Sequence, residues 1–426
     1  MTQHSRSLRR AVAPAALSVM AVSALVLTGC SAPAPVEEAT ELSFYFPVAE
    51  SGDNPYQALA DAFEEANPGV TINTEEAGGD TYQQGLVTKL QAGNAADVFM
   101  TAPGRGQLHS ILSLAENGYL VPLDDTTAAT TIPAGNEALF EVDGTLYGQG
   151  LDFTVAALVV NEALMQADGI ETFPETYDDM LDACGVAQEH GHSLFVLAGA
   201  MPPNTGFFSM VMAGDLVYGP DPSWNVEREN DETTFADSGW ADVLDRFTEM
   251  KDAGCFQEAP EAGTFDTITN NLVGEVSIAG AIPSGAAFGL GGANPNARFV
   301  VHPFPADTAD DRYVSASVNY ALSINAKADP GVIELAKHFL EFAAGDGAAV
   351  FPGVSGNLPV VGADFNALPP QYGGVAPLLI DGKTYALPNS GWESAEVYSA
   401  LGVGVQGILT GQATTEDVLA EMDASW

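Results

Sequence analysis

Positive charge is the scarcest commodity in this chain. Its 426 residues carry 13 Lys and Arg against 57 Asp and Glu, a net charge of −44 at pH 7. Such a field repels phosphate backbones and excludes nucleic acid as a partner. It also disfavours anionic solutes unless a site supplies local cations, and most of the acidity reads as solubility in a salty exterior. Cysteine is nearly absent. Three residues, Cys30, Cys184 and Cys255, cannot make a disulfide-dense scaffold. No apolar run beyond the N-terminal segment is long enough to span a bilayer, so the body of the chain reads as soluble. Internal repeats are missing. The 46% hydrophobic and 9% aromatic content argues against disorder.

The N-terminal segment has Arg6, Arg9 and Arg10 ahead of an apolar stretch from Ala11 to Leu27, closed by Leu27-Thr28-Gly29-Cys30. A small pair before a cysteine is the lipoprotein processing pattern. Residues 1–29 read as a signal peptide cut just before Cys30, which carries the lipid. The alternative is an ordinary signal peptide with a chance cysteine. The residues behind Arg9-Arg10 fit twin-arginine export poorly, which favours the general secretory route. The mature protein is then anchored to the extracytoplasmic face of the cell membrane. Residues 30–40, with SAPAPVEEAT, read as a flexible tether. Three of the 13 cations fall in the signal, so the mature chain is more acidic still. With Cys30 given to lipid, Cys184 and Cys255 remain as a pair in an oxidising space. A bridge would close a loop of about 70 residues, worth about 4 kcal/mol in the loop-entropy model. Two buried thiols are the alternative.

Hydrophobic periodicity gives the organisation. Leu42–Pro47 reads as a buried strand, and Asn54-Pro55 opens a helix carrying Leu59 and Phe63 on one face. Strands at 70–73 and 97–100 alternate with helices at 81–91 and 107–117. Asp143-Gly144 marks a hairpin and 154–160 a strongly apolar strand. Helices follow at 177–190, 206–218, 240–253, 332–343, 392–409 and 415–422. Strands follow at 194–197, 276–279, 298–303 and 318–324. This alternation predicts an α/β protein, and the length predicts two domains. Trp224, in DPSWNVER, reads as a surface-loop anchor.

Several short motifs stand one after another along the chain. Ala62-Phe63-Glu64 and Asn67-Pro68-Gly69 precede Lys89-Leu90-Gln91-Ala92-Gly93 and Asp97-Val98-Phe99. Leu114-Ala115-Glu116-Asn117-Gly118-Tyr119-Leu120-Val121-Pro122-Leu123, Asp143-Gly144-Thr145-Leu146-Tyr147-Gly148 and Gly274-Glu275-Val276-Ser277-Ile278 follow. Ala336-Lys337-His338-Phe339-Leu340 and Ser355-Gly356-Asn357-Leu358-Pro359 complete the series. In this order the chain, from Glu41 to Trp426, resembles the family 1 extracellular solute-binding proteins of ABC importers, whose best-known members bind maltodextrins and other sugars. The resemblance implies a two-lobed periplasmic-binding-protein-like fold with a hinge and an interlobe cleft. It places residues 41–150 in lobe 1, 151–317 in lobe 2, 318–373 back in lobe 1 and 374–426 in lobe 2. The implied partners are a small neutral solute, a mono- or oligosaccharide, and ABC permease subunits. The protein is expected to be a monomer without cofactor or metal.

Sugar recognition needs aromatic faces and hydroxyl partners. The loop after the first strand offers Glu50, Ser51 and Asp53, where the family commonly supplies polar contacts. The next loop offers Thr101 and Arg105. Related sugar binders often place an aromatic there, but Ala102-Pro103 stands instead and weakens the case for a maltodextrin. The resemblance implies Asp152 as a hydroxyl acceptor at the first crossing, with Phe153 beside it. One of Phe207 and Phe208 should face the cleft. Ser284 stands where the family often has a Trp nearby, and bonds ligand or caps a helix. Asn319 and Tyr320 lie on the returning strand. Trp392, at the head of the penultimate helix, is expected as the stacking platform.

Enzymatic signals are weak. Gly353-Val354-Ser355-Gly356-Asn357 lacks the last glycine of a nucleophile elbow. Chance carboxylate pairs carry no weight among 57 acids. His190 and His192 lack metal-site spacing, and Asp307–Asp311 does not match a calcium loop. No enzyme is expected. The remaining alternatives are a binding protein for a peptide, polyamine or metal complex, and a surface lipoprotein with no transporter.

Overall fold

The computed structural model describes residues 39–49, 53–133 and 136–426. Cys30, the signal and nearly all of the tether lie outside the described residues. Ala39 and Thr40 already belong to the fold, since the Thr40 carbonyl accepts the Thr71 amide at 2.8 Å.

The first sheet starts with β1 (Glu41–Pro47), β2 (Thr71–Ala77) and β3 (Val98–Thr101). Both β2 and β3 run parallel to β1. Leu42, Phe44 and Phe46 alternate on one face of β1 and are buried, as a period of two requires. Asn54 caps the helix Pro55–Ala66, its side-chain oxygen accepting the Tyr56 amide. That helix buries Leu59 and Phe63 against the sheet. The hairpin β4 (Glu141–Val142) and β5 (Thr145–Leu146) turns at Asp143-Gly144, both with positive φ. The short strand β6 (Gln149–Gly150) then leads to the first crossing.

The strand β7 (Asp152–Asn161) is the spine of the second sheet, buried at nine of its ten residues. β8 (Ser193–Val196), β9 (Ser277–Pro283), β10 (Phe299–His302) and β11 (Val314–Val318) follow. β9, β10 and β11 all pair antiparallel to β7. Ala156, Leu158 and Val160 of β7 join one core; Val155, Ala157 and Val159 join another on the opposite face. This sheet is covered on both sides, so β7 reads as a continuous apolar run rather than an alternating one.

The predicted single strand over 318–324 is two. β11 ends at Val318, and β12 (Ala321–Ile324) pairs antiparallel with β3 in the first sheet. Asn319 and Tyr320 are the second crossing. Helix Pro330–Ala344 then buries Phe339 and Leu340 in the first core. The return comes earlier than the expected place near Gly373. β13 (Leu358–Pro359) already pairs with Phe153 and Asp152 of β7, and Tyr372 lies in the second sheet's core. β14 (Thr384–Tyr385) adds to β11, and helices Ala395–Thr410 and Thr415–Ser425 close the chain.

Trp224 is not a surface anchor. It is 3% exposed and packs on Phe235, Tyr218 and Trp426. Cys184 and Cys255 are bridged, with Cα atoms 4.7 Å apart. The bridge ties helix Tyr177–Glu189 to the segment after helix Trp240–Asp252 across 71 residues of sequence. Reducing it, or replacing both cysteines by Ser, is expected to lower unfolding free energy by about 2–5 kcal/mol. Denaturant titration with and without reductant measures this, and thiol labelling of the unreduced, denatured protein should find neither sulfur free.

Candidate functional site

The C-terminal ends of parallel strands gather at one crevice between the two sheets, the place where α/β proteins bind ligands. From the first sheet come Pro47, Thr101 and Gly150; from the second, Val196, Pro283 and Val318. The crossings lie at the same place. Glu50 and Ser51 fall outside the described residues. Asp53 is exposed beside them.

Several predicted ligand groups serve the protein itself. Thr101 is fully buried, its hydroxyl 2.9 Å from the Ser323 hydroxyl across the β3–β12 pair. Ser284 is also fully buried. It accepts from the Val155 amide and the Tyr372 hydroxyl, and donates to Asn357 Oδ1 at 3.1 Å. Ser284 therefore neither meets a solute nor has a free lone pair to do so. Arg105 is gripped by Glu116 of its own lobe, Nη1 and Nη2 donating at 2.6 and 2.5 Å to the two carboxylate oxygens. This bidentate pair holds the guanidinium in its charged form. A hydroxyl partner would have to break it.

Asp152 is fully buried at the first crossing. Asn357 Nδ2 donates to it at 2.8 Å, Ser355 Oγ at 3.3 Å and Thr154 Oγ1 at 3.3 Å. Burial pushes its carboxyl up to about 7, against the pull of those three donors toward the ionised form. The carboxylate joins the first crossing to the third; it does not line open space. Its hydroxyl neighbours include Tyr56, whose OH is buried without a hydrogen-bond partner. Tyr320 stacks at a tilt on Phe351, which also meets Tyr56. Asn319 is half-buried on the second crossing.

Trp392 is not the platform. It has no exposed surface and sits edge-on to Phe235 and Trp240 at 5.7 and 5.8 Å. Its indole N–H donates to the Tyr218 hydroxyl at 3.4 Å. The helix expected to start there starts at Ala395, after a 3-10 turn over Pro388–Gly391. Of the phenylalanine pair, Phe208 is fully buried among Phe195, Phe247, Phe256 and Phe304, and Phe207 is half-buried.

Tyr398 is a further aromatic, near Trp392 and close to Gly206. It is half-buried, and its hydroxyl donates to the Pro203 carbonyl at 2.7 Å. Its ring lies so close to Gly206 that a Cβ there would come within 2.6 Å of Cε2. Tyr398 and Gly402 share one face of helix Ala395–Thr410, turned to helix Pro202–Ala213. That i,i+4 pair of a ring and a glycine was the sequence signal for this packing. Phe207 and Tyr398 are half-buried and pack against one core, while Met201, just before helix Pro202–Ala213, packs against the core on the other face of the second sheet.

A separate cavity of about 380 Å³ lies in the second lobe. Most of its charged lining is paired: His302 and Arg298 on Glu162 at 2.8 and 2.6 Å, and Arg312 on Glu175 at 2.8 Å. His302 pairs with Leu158 midway along β7, away from the crossings.

The Trp392→Ala variant is expected to lose about 3–5 kcal/mol of stability, as a buried aromatic does. Chemical denaturation without solute reads this out. The Asp152→Asn variant tests the buried carboxyl. A folded pKa raised from 3.8 to about 7 means the native state holds a proton that the unfolded state has lost. Stability from this group is therefore greatest below pH 4 and falls as pH rises to 7, by up to about 1.4 kcal/mol per pH unit. The difference in unfolding free energy between parent and variant should carry that slope between pH 4 and 7 and flatten above it.

A family model for bacterial extracellular solute-binding proteins matches residues 49–350. A binding protein of Brucella abortus is 26% identical over 128 residues, 29% of this chain. The matched part spans 30% of that relative's own length. A structure from work on xylan utilization by the thermophilic bacterium Caldanaerobius polysaccharolyticus superposes with a TM-score of 0.76 at 17% identity, covering 90% of this chain and 99% of that one. A chitin oligosaccharide binding protein superposes at 0.75 with 16% identity, covering 91% and 98%.

Proposed function

The chain belongs to the bacterial extracellular solute-binding proteins, and on that premise we propose that it is the capture component of an ABC importer for a sugar or oligosaccharide. The observation that carries this reading is the end-to-end likeness to the chitin oligosaccharide binding protein. The half-buried rings of Phe207 and Tyr398 support it, because pyranose rings stack on aromatic faces. Asn319 on the second crossing and the exposed Asp53 after β1 are the hydroxyl partners this reading assigns. Hinge closure between lobe 1 (41–150, with the return segment after Val318) and lobe 2 traps the solute. Cys30 carries a lipid that holds the protein, as a monomer, at the outer membrane face beside its permease. No helix among the described residues is long and apolar enough to cross a membrane. A cationic solute such as a polyamine is the second reading, favoured by the net charge of −44.

A thermal-shift panel of neutral oligosaccharides and polyamines separates the two. A solute at 100 times its Kd adds about 2.7 kcal/mol to the folded state and raises the melting temperature. A neutral oligosaccharide is the expected hit; a response to polyamines alone would overturn the sugar reading. With the best sugar, Tyr398→Ala should weaken binding about ten- to a hundred-fold by calorimetry, the worth of one buried ring at about 1–3 kcal/mol. Cys30→Ala should leave the membrane fraction, as released or uncut protein. Unchanged membrane retention with lipid label would reject the anchor.

A further inference from the structure

Beside the second crossing, where the Leu387 amide donates to Ser317 and Thr101 pairs with Ala321, lobe 1 and lobe 2 also touch backbone to backbone. The loop after β3 meets the 3-10 turn Pro388–Gly391 that follows β14. The Arg105 amide donates to the Ser390 carbonyl at 3.2 Å. The two residues flanking Arg105 are glycines, and neither could be anything else at this distance. A Cβ on Gly104 would lie 1.7 Å from the Ser390 carbonyl oxygen, and a Cβ on Gly106 would lie 1.7 Å from that of Asn389. Both contacts are to main-chain atoms, which cannot rotate out of the way. The Arg105 side chain is turned back onto Glu116, while Glu393 and Glu229 of the other lobe act on it through space.

We propose that Gly104-Arg105-Gly106 and Asn389-Ser390 form a side-chain-free latch that fixes how far the two lobes close, and through it how long a captured solute is held. The second half of this statement rests on the solute-capture reading; the first half does not. The seam is built to release as well as to close. Its hydrogen bond is a single neutral one, main chain to main chain. Asn389 Oδ1 is buried at the seam without a partner and regains water when the lobes part. The attraction of Glu393 and Glu229 for Arg105 steers the loop back. Such a contact tips the balance between open and closed forms without locking it.

The test needs no solute in its first arm. Amide hydrogen exchange of the full chain follows peptides covering 102–107 and 386–392, with the helix 330–344 as a fold reference. Gly106→Ala is the main variant, since Gly106 has no left-handed φ and Ala fits its own backbone. Gly104→Ala is the second; Gly104 sits at φ 75°, so Gly118→Ala, at φ 71° with nothing within 4 Å, controls for backbone strain. Both latch variants should speed exchange in both peptides at least tenfold, leaving the reference helix and the Gly118→Ala protein at parent rates. Equal exchange of 386–392 in parent and Gly106→Ala, or equal loss in Gly118→Ala, would overturn the latch. In the second arm the best sugar should dissociate at least tenfold faster from Gly106→Ala. If no sugar binds the parent, the capture reading fails while the exchange arm still decides the latch.

Discussion

The first and last of the three crossings between the sheets meet at one buried carboxylate. Asp152 begins β7, the strand on which the second sheet is built, and takes donors from Ser355 and Asn357 on the last crossing. Asn357 in turn receives Ser284 from the end of β9 and the Gly285 amide, and Ser284 receives Tyr372. Each of these groups would be costly to bury alone. Together they satisfy one another and fix where the chain leaves one sheet for the other. A carboxyl poised near pH 7 in this knot is a consequence of burial that its three donors do not fully offset. The knot explains why polar residues gathered at the crevice are not all available to a solute. Some of them hold the hinge.

The scarcity of cations shapes the rest. Arg246 is nearly buried and is held by Asp215 and Asp307 while lying over the Tyr177 ring. Arg228 meets Asp423 and the ring of Trp426, tying the C-terminal helix to the aromatic core. Lys251 caps the Leu409 carbonyl at the end of helix Ala395–Thr410. These cations pin a segment to its neighbour. Exposed pairs contribute little individually, but in a chain at −44 each also removes a local concentration of like charge. Arg105 follows the same rule, which is why its guanidinium belongs to Glu116 before any ligand.

Much of the architecture was legible because periodicity and turn chemistry are local. Asn54-Pro55 and Asp143-Gly144 did as their residue types require, and the bridge between Cys184 and Cys255 followed from compartment and count. The strand over 318–324 was misread because apolar content runs through it. What divides it is a change of sheet, which periodicity does not encode. Trp392 was misplaced for a similar reason. A lone Trp after Asn-Ser-Gly looks like a helix head facing a cleft, yet its partners Phe235 and Trp240 are more than 150 residues away in sequence. Thr101 and Ser284 fail likewise, since their hydroxyl partners Ser323, Asn357 and Tyr372 are distant along the chain. Local pattern identifies a strand end; only the fold says whether its polar group is already taken.

A binding protein of this kind must close firmly on solute and yet let go of it. Those demands set limits on what may lie between the lobes. An apolar seam would bury area at about 25 cal/mol per Å² and hold the closed form whether or not anything was inside. A seam of charged side chains would depend on salt in an already strongly charged molecule. Backbone against backbone, allowed only by Gly104 and Gly106, avoids both. It gives a defined closed geometry from one hydrogen bond and leaves the energy of closure to the solute. A ligand shifts such an equilibrium only by its differential affinity for the two forms. The weaker the empty seam, the larger the share of closure the solute itself must supply, and the more closely closure reports that the right solute is bound.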